Sequence, residues 1–236
     1  MSTTYAEIAP PAALAEDVRC LWWSSFGWDG TILPDGCLDI VVTPDRAFVA
    51  GPDTGPWTSS LPVGLPVYGL RFRTGRAARI LGVPASELRD RRVDLADLWG
   101  PAGASVAARL AADPSHLTAL VSARLARAET DAPDRQVDVA VRRLLTAGPR
   151  VTDALTADLG VGERQFRRRF TAAVGYGPAT FLRVARLLRV RRLARTAPDL
   201  ALADLAARSG YADQSHLARD CNDLAGAPPS RLLRGR

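Results

Sequence analysis

The chain lacks lysine altogether: all 31 of its basic residues are arginine. With Ala, Gly and Pro abundant, uniform arginine reflects a GC-rich coding bias, so only the distribution of arginine carries functional weight. Histidine is nearly as scarce, with His116 and His216 alone. That leaves no histidine cluster for a metal ion and no partnered histidine for proton transfer. The three cysteines, Cys20, Cys37 and Cys221, are far apart, odd in number and without a CxxC pair. This pattern speaks against a disulfide framework or a thiolate zinc site, and reduced, packed thiols are expected. There is no apolar run of about 18 residues, the length a membrane span needs. Met1 to Ala15 carries acids and prolines where an export signal needs a basic start and an apolar centre. A cytoplasmic chain is expected.

The parts of a catalytic site are also missing. Asp35 and Asp39 could form a carboxylate pair, but Pro34-Asp35-Gly36 is ordinary turn chemistry and no third group accompanies them. Gly51 to Pro56 lacks the Lys-Ser/Thr ending of a phosphate loop and precedes no clear helix. No enzymatic activity, cofactor or metal site is expected.

What is present is an uneven charge. Residues 1–130 hold 12 Arg against 14 acids, whereas residues 131–236 hold 19 Arg against 11 acids. Within the second part, Arg164 to Arg195 contains ten Arg and no Asp or Glu. Solvated helix faces normally mix signs, so a strip this one-sided repels itself unless an anion neutralises it. Nucleic acid is the obvious anion. An acidic membrane surface fits less well, because no large apolar face remains to insert.

The same region repeats itself. Leu155 and Gly160 correspond to Leu205 and Gly210 at an offset of 50, and Phe166, Phe170, Gly175 and Pro178 to Leu217, Cys221, Gly226 and Pro229 at an offset of 51. Each copy reads as two short amphipathic helices around a turn, the form of a helix-turn-helix. With Phe166 and Phe170 facing inward, Arg164, Arg167 and Arg168 remain on the outer faces of the second helix. Between the copies, Pro178 to about Thr196 has no internal Pro or Gly and should form one helix of roughly 28 Å. That length is near the ~34 Å between successive major-groove faces of B-DNA.

The segments Gly162 to Phe170, Gly175-Tyr176-Gly177-Pro178, Arg186 to Ala194 and Gly210 to Leu217 together resemble the DNA-binding domain of AraC/XylS-type bacterial transcription regulators. The likeness covers about Asp134 to Arg236. It implies two helix-turn-helix units, at about 151–175 and 202–226, joined by a linker helix at about 178–196. It also implies base contacts from Arg164, Arg167 and Arg168 in the first unit and from Gln214, Ser215, Ala218 and Arg219 in the second. Arg169, Arg183, Arg186 and Arg189 are candidates for phosphates or for internal ion pairs. Double-stranded DNA is the implied partner, with RNA polymerase a further one. Two positions depart from the family pattern: Thr156 replaces the usual Ala and Cys221 the usual Phe. The smaller Cys221 predicts a looser second unit, by about 1 to 3 kcal/mol.

Residues 1–130 form a different zone, and all five Trp lie at or before Trp99. Short β-prone runs at Cys20 to Ser25, Leu38 to Thr43, Ala47 to Ala50 and Val67 to Phe72 are separated by Gly/Pro turns, which predicts a small antiparallel sheet or barrel. Helical patterns follow from 75 to 129, divided at Asp113-Pro114, so the whole chain is an α+β protein. Leu33 to Val41 and Tyr68 to Phe72 resemble an N-terminal module found in a subset of AraC-type regulators. Such modules are commonly cupin-like sensors, which implies a small-molecule effector. Trp22, Trp23 and Trp57 are candidates for an aromatic pocket wall, although alternation sends Trp22 and Trp23 to opposite faces. The apolar stripe of Ser115 to Glu129 has two readings, packing on its own sheet or a homodimer seam formed by residues 102–129. The rival reading of the chain is an N-terminal ligand-binding or enzymatic module tethered to a nonspecific nucleic-acid-binding half. Thr130 to Asp134 is the best linker.

Overall fold

The computed structural model describes residues 4–25, 31–58, 65–128, 133–146 and 162–233. Strands β1 (Thr4–Ile8), β2 (Val18–Ser25), β4 (Asp39–Val42), β5 (Ala47–Ala50), β7 (Pro66–Phe72) and β8 (Arg92–Asp94) form one antiparallel sheet in the order β1-β2-β7-β4-β5-β8. A two-stranded ribbon of β3 (Thr31–Ile32) and β6 (Trp57–Thr58) accompanies it. The four runs expected to be strands are β2, β4, β5 and β7, the interior of the sheet. The unexpected ones are the two edges and the ribbon, which are short and partly polar.

Register sorts the side chains. Leu21, Leu70, Ile40, Val49 and Val93 stand opposite one another across five strands and so share a face. Helices α1 (Ala77–Leu81), α2 (Leu95–Ala112) and α3 (His116–Arg127) contribute to the same core through Ile80, Leu81, Leu95, Leu110, Leu117 and Val121. The stripe of α3 is therefore used on its own sheet, the first of its two readings. Helix α2 runs through the sequence break at Gly100-Pro101 by kinking: Gly100 takes φ 60° and ψ −142°, conformations only glycine adopts readily. Arg124 of α3 donates to the carbonyls of Ile80 and Leu81 at 2.8 and 3.2 Å, capping the end of α1.

The opposite face carries the row Glu7, Trp22, Gly69, Val41 and Phe48. A Cβ at Gly69 would lie 2.1 Å from the Trp22 ring, so only glycine lets the indole lie flat there.

The C-terminal part is helical: α4 (Arg135–Thr146), α5 (Glu163–Val174), α6 (Pro178–Thr196), α7 (Leu202–Ser209), α8 (Gln214–Ala225) and α9 (Pro229–Leu232). Its core joins Val137, Leu144, Phe166, Phe170, Phe181, Leu187, Leu205, Leu217, Cys221 and Leu224. Leu155, Thr156, Leu159 and Gly160, the expected first helix of the first unit, lie outside the described residues.

The two parts meet closely. Arg76, at the start of α1, pairs with Asp138 of α4 at 2.7 Å and approaches the buried Asp17 at 3.7 Å. Gly36 (φ 77°) leaves no room for a side chain, since a Cβ would meet the Phe181 ring at 2.6 Å. The connection Gly51–Pro56 reaches both helix-turn-helix units. A Cβ at Gly175 would lie 2.3 Å from Pro52, and one at Gly226 would lie 3.2 Å from Pro56. Gly175 and Gly226 are the C-caps of α5 and α8 and occupy equivalent places in the repeat. The connection is itself pinned, with Asp53 gripped by Arg92 at 2.7 and 2.8 Å and Thr54 bonded to Asp90 at 2.6 and 2.8 Å.

Candidate nucleic-acid interface

Helix α5 begins at Gly162 and ends at Gly175, whose left-handed conformation stops it. Phe166 and Phe170 point inward, 2% and 0% exposed, with their rings 5.7 Å apart, and Phe170 packs on Phe181 of α6 at 5.9 Å. The inward pair fixes what is outward. Arg164, Arg167 and Arg168 are all exposed. Helix α8 follows the same plan, with Leu217 and Cys221 fully buried and Gln214, Ser215 and Arg219 exposed. Ala218 is half-buried. The start of α8 is held by Asp213, whose side chain accepts from the His216 amide at 2.7 Å. His216 itself stands edge-on to Tyr211, with ring centroids 5.2 Å apart, which is a packing role.

The four arginines that are candidates for phosphates or for internal ion pairs differ from the exposed rows. Arg169 donates to Asp134 at 2.6 Å and to Gln136 at 2.7 Å, tying α5 to the head of α4. Arg183 donates to Asp220 at 2.8 Å and to Asp223 at 2.6 Å, tying α6 to α8. Partial burial pulls the Arg183 guanidinium down, but its bonds to these two carboxylates leave it above its ordinary value. Arg189 donates to the carbonyls of Ser209 and Leu145, both at 3.0 Å, closing the last turns of α7 and α4. Arg186 lies over the Tyr211 ring at 5.9 Å. Within the chain these side chains make ion-pair and packing contacts. The reason is tertiary: Asp134, Asp220 and Asp223 lie outside the acid-free stretch in sequence but are folded onto it, so part of its charge is neutralised from within.

Behind this interface lies a cavity of about 1890 Å³ between the sheet and helices α4 and α6. Trp22 and Trp57 line it. Trp23 does not. It is on the opposite face, 38% exposed, because side chains alternate along β2. Trp22 donates to Asp39 at 3.1 Å, and Asp39 takes the Arg71 guanidinium on both oxygens at 3.0 Å. Burial raises the Asp39 carboxyl above its ordinary value, and Arg71 works against that rise. Trp57 lies against the Arg92 guanidinium at 4.0 Å. The Asp39–Arg71 pair escaped the sequence reading. Its signal was an arginine and an aspartate interrupting apolar strands, on positions that the register puts side by side.

Helices α5 and α8 occupy equivalent places in the sequence repeat, each carries an exposed polar row, and both belong to a helical part that accompanies a β-rich module. Residues 155–235 match the model of a helix-turn-helix domain, and residues 6–94 match that of a domain of unknown function, DUF6597. The C-terminal part of the chain is thus similar to a helix-turn-helix domain. Among solved structures, the chain is similar to ToxT from Vibrio cholerae O395, at 12% identity over 100% of this chain and 98% of that one, with a TM-score of 0.42. It is also similar to a second crystal form of ToxT from Vibrio cholerae, at 10% identity over 98% and 97% with a TM-score of 0.45. A third, the unsaturated-fatty-acid-bound wild-type ToxT of strain SCE256, shares 12% identity over 98% and 94% with a TM-score of 0.43. Likeness at this level assigns no residue a role and no ligand to the cavity. No curated protein matches the chain. Among the described residues, no helix is long and apolar enough to cross a membrane, and no cluster of His, Cys, Asp and Glu could hold a metal ion.

Proposed function

We propose that the protein is a ligand-responsive transcription regulator that reads one DNA site with α5 and α8 in two adjacent major grooves. The observation that carries this reading is the pair of exposed polar rows, Arg164, Arg167 and Arg168 on one helix and Gln214, Ser215 and Arg219 on the other. The 19-residue helix α6, roughly 28 Å long, joins the two units that carry them. Arginine pairs bidentately with guanine and glutamine with adenine, so both rows have the chemistry to read base edges. Ala218, half-buried, suits apolar contact with a thymine methyl. RNA polymerase is a further partner of a regulator built this way. The sheet of residues 1–130 supplies one wall of the effector cavity, and helices α4 and α6 the other.

Footprinting after selection from genomic fragments tests this. One protected site of about 17 to 20 base pairs supports the reading. Diffuse protection of any sequence would instead indicate a nonspecific tether.

A further inference from the structure

The cavity has two unlike walls. On the sheet side, Val41, Phe48, Val67 and Trp22 form an apolar surface separate from the main core. On the helical side stand Arg142 of α4 and Arg191, Arg192 and Arg195 of α6. Among the described residues none of these four is held by a carboxylate, unlike Arg71, Arg76 and Arg92, which line the same cavity and are paired. Arg191 and Arg195 lie four apart, on one face of α6. Arg191 is half-buried, and burial together with the nearby Arg195 holds its guanidinium below its ordinary value. Asp138 lies near Arg142, but Arg191, Arg192 and Arg195 have no carboxylate on them among the described residues, and such a wall facing an apolar one across a large cavity has the shape of a site for an amphipathic anion.

We propose that the cavity binds a small molecule with an apolar body and a phosphate group, the body lying on Val41, Phe48 and Trp22 and the phosphate held by Arg191 and Arg195. This rests on the reading of residues 1–130 as the effector-binding part and names the class of effector. Phosphate is favoured over carboxylate because several guanidiniums line that wall. A phosphate monoester offers three acceptor oxygens and nearly two charges near neutral pH, and guanidinium matches it bidentately. The anion-holding residues belong to the helix that joins the two DNA-reading units, so the ligand touches both domains at once.

The test is calorimetric titration of the full chain, with tryptophan fluorescence as a second readout, using octyl phosphate, octanoate, octanol and inorganic phosphate below any micelle-forming concentration. One octyl phosphate per chain is expected, with octanoate about fivefold weaker. Octanol and inorganic phosphate should each be weaker than octyl phosphate by about tenfold or more. The R191Q/R195Q double variant should keep its melting temperature and lose at least about tenfold in octyl phosphate affinity, while Arg231→Gln changes neither. Equal binding of octanol, tighter binding of octanoate, or unchanged affinity in the folded double variant would overturn the assignment. Footprinting of the unliganded chain separates the two readings. A chain that protects a defined site but ignores all four probes loses this cavity assignment and keeps the regulator. One that binds octyl phosphate through the two arginines and protects no defined site does the reverse.

Discussion

Helices α5 and α8 share a plan and differ in how they are held. Helix α5 packs through an aromatic cluster, ends against Pro52 and presents three arginines. Helix α8 packs through Leu217 and the small Cys221, starts on a side-chain cap and presents Gln214, Ser215 and one arginine. It also places Asp220 and Asp223 against Arg183. The first unit is thus suited to strong, salt-dependent attraction, and the second to hydrogen-bonded discrimination with little added charge. Equivalent positions in a repeat need not carry equivalent energy.

The largest effect should come from the packing side of this contrast. Phe170→Ala, at the centre of the Phe166–Phe170–Phe181 cluster, should cost about 3 to 5 kcal/mol in denaturant unfolding, whereas Cys221→Ala should cost well under half of that. Equal losses would mean that the two units share one level of packing. Next, Arg168→Ala should weaken binding to the selected site by about 1 to 3 kcal/mol and relax preference at one base pair, measured by competition binding. A uniform loss across all sequences would make Arg168 a phosphate contact. Asp213→Ala removes a cap that α5 lacks and should cost about 1 kcal/mol of stability, with Asp213→Asn losing less.

The smallest effect concerns pH. Burial raises the Cys20 and Cys221 thiols from 9.0 to about 11. The folded chain therefore keeps these protons longer than the unfolded one, so their stabilising contribution is whole below 9.0 and is lost as pH climbs toward about 11. Urea midpoints should fall over that window, and the fall should shrink in Cys221→Ala. A thiol reagent should react slowly with all three buried cysteines at neutral pH until the chain unfolds.

The features legible in the sequence were those set by local spacing. The i, i+4 aromatics of α5, the uninterrupted α6 and the glycine caps follow from period and turn chemistry, and the four interior strands from short apolar runs between turns. Among the described residues, the exposed polar rows follow by elimination once the inward positions are known. The partners of Arg169 and Arg183 did not follow. They lie 33 to 40 positions away along the chain, and only helix packing brings them together. Edge strands β1 and β8 were missed because an edge needs no apolar alternation on both sides. The cationic wall of the cavity was hidden because Arg191 and Arg195 read as part of one basic helix, with nothing in the spacing to say which side faces the sheet.

The pinned connection Gly51–Pro56 meets the far ends of both readers and carries Asp53 and Gly51 on the cavity lining. Adding one base pair between two grooves rotates the second by roughly 35° around the duplex axis. A reader whose halves are braced at both tips by a single proline-bounded wedge tolerates little such rotation. On the proposed reading, the spacer length of the DNA site is set by the width of this loop.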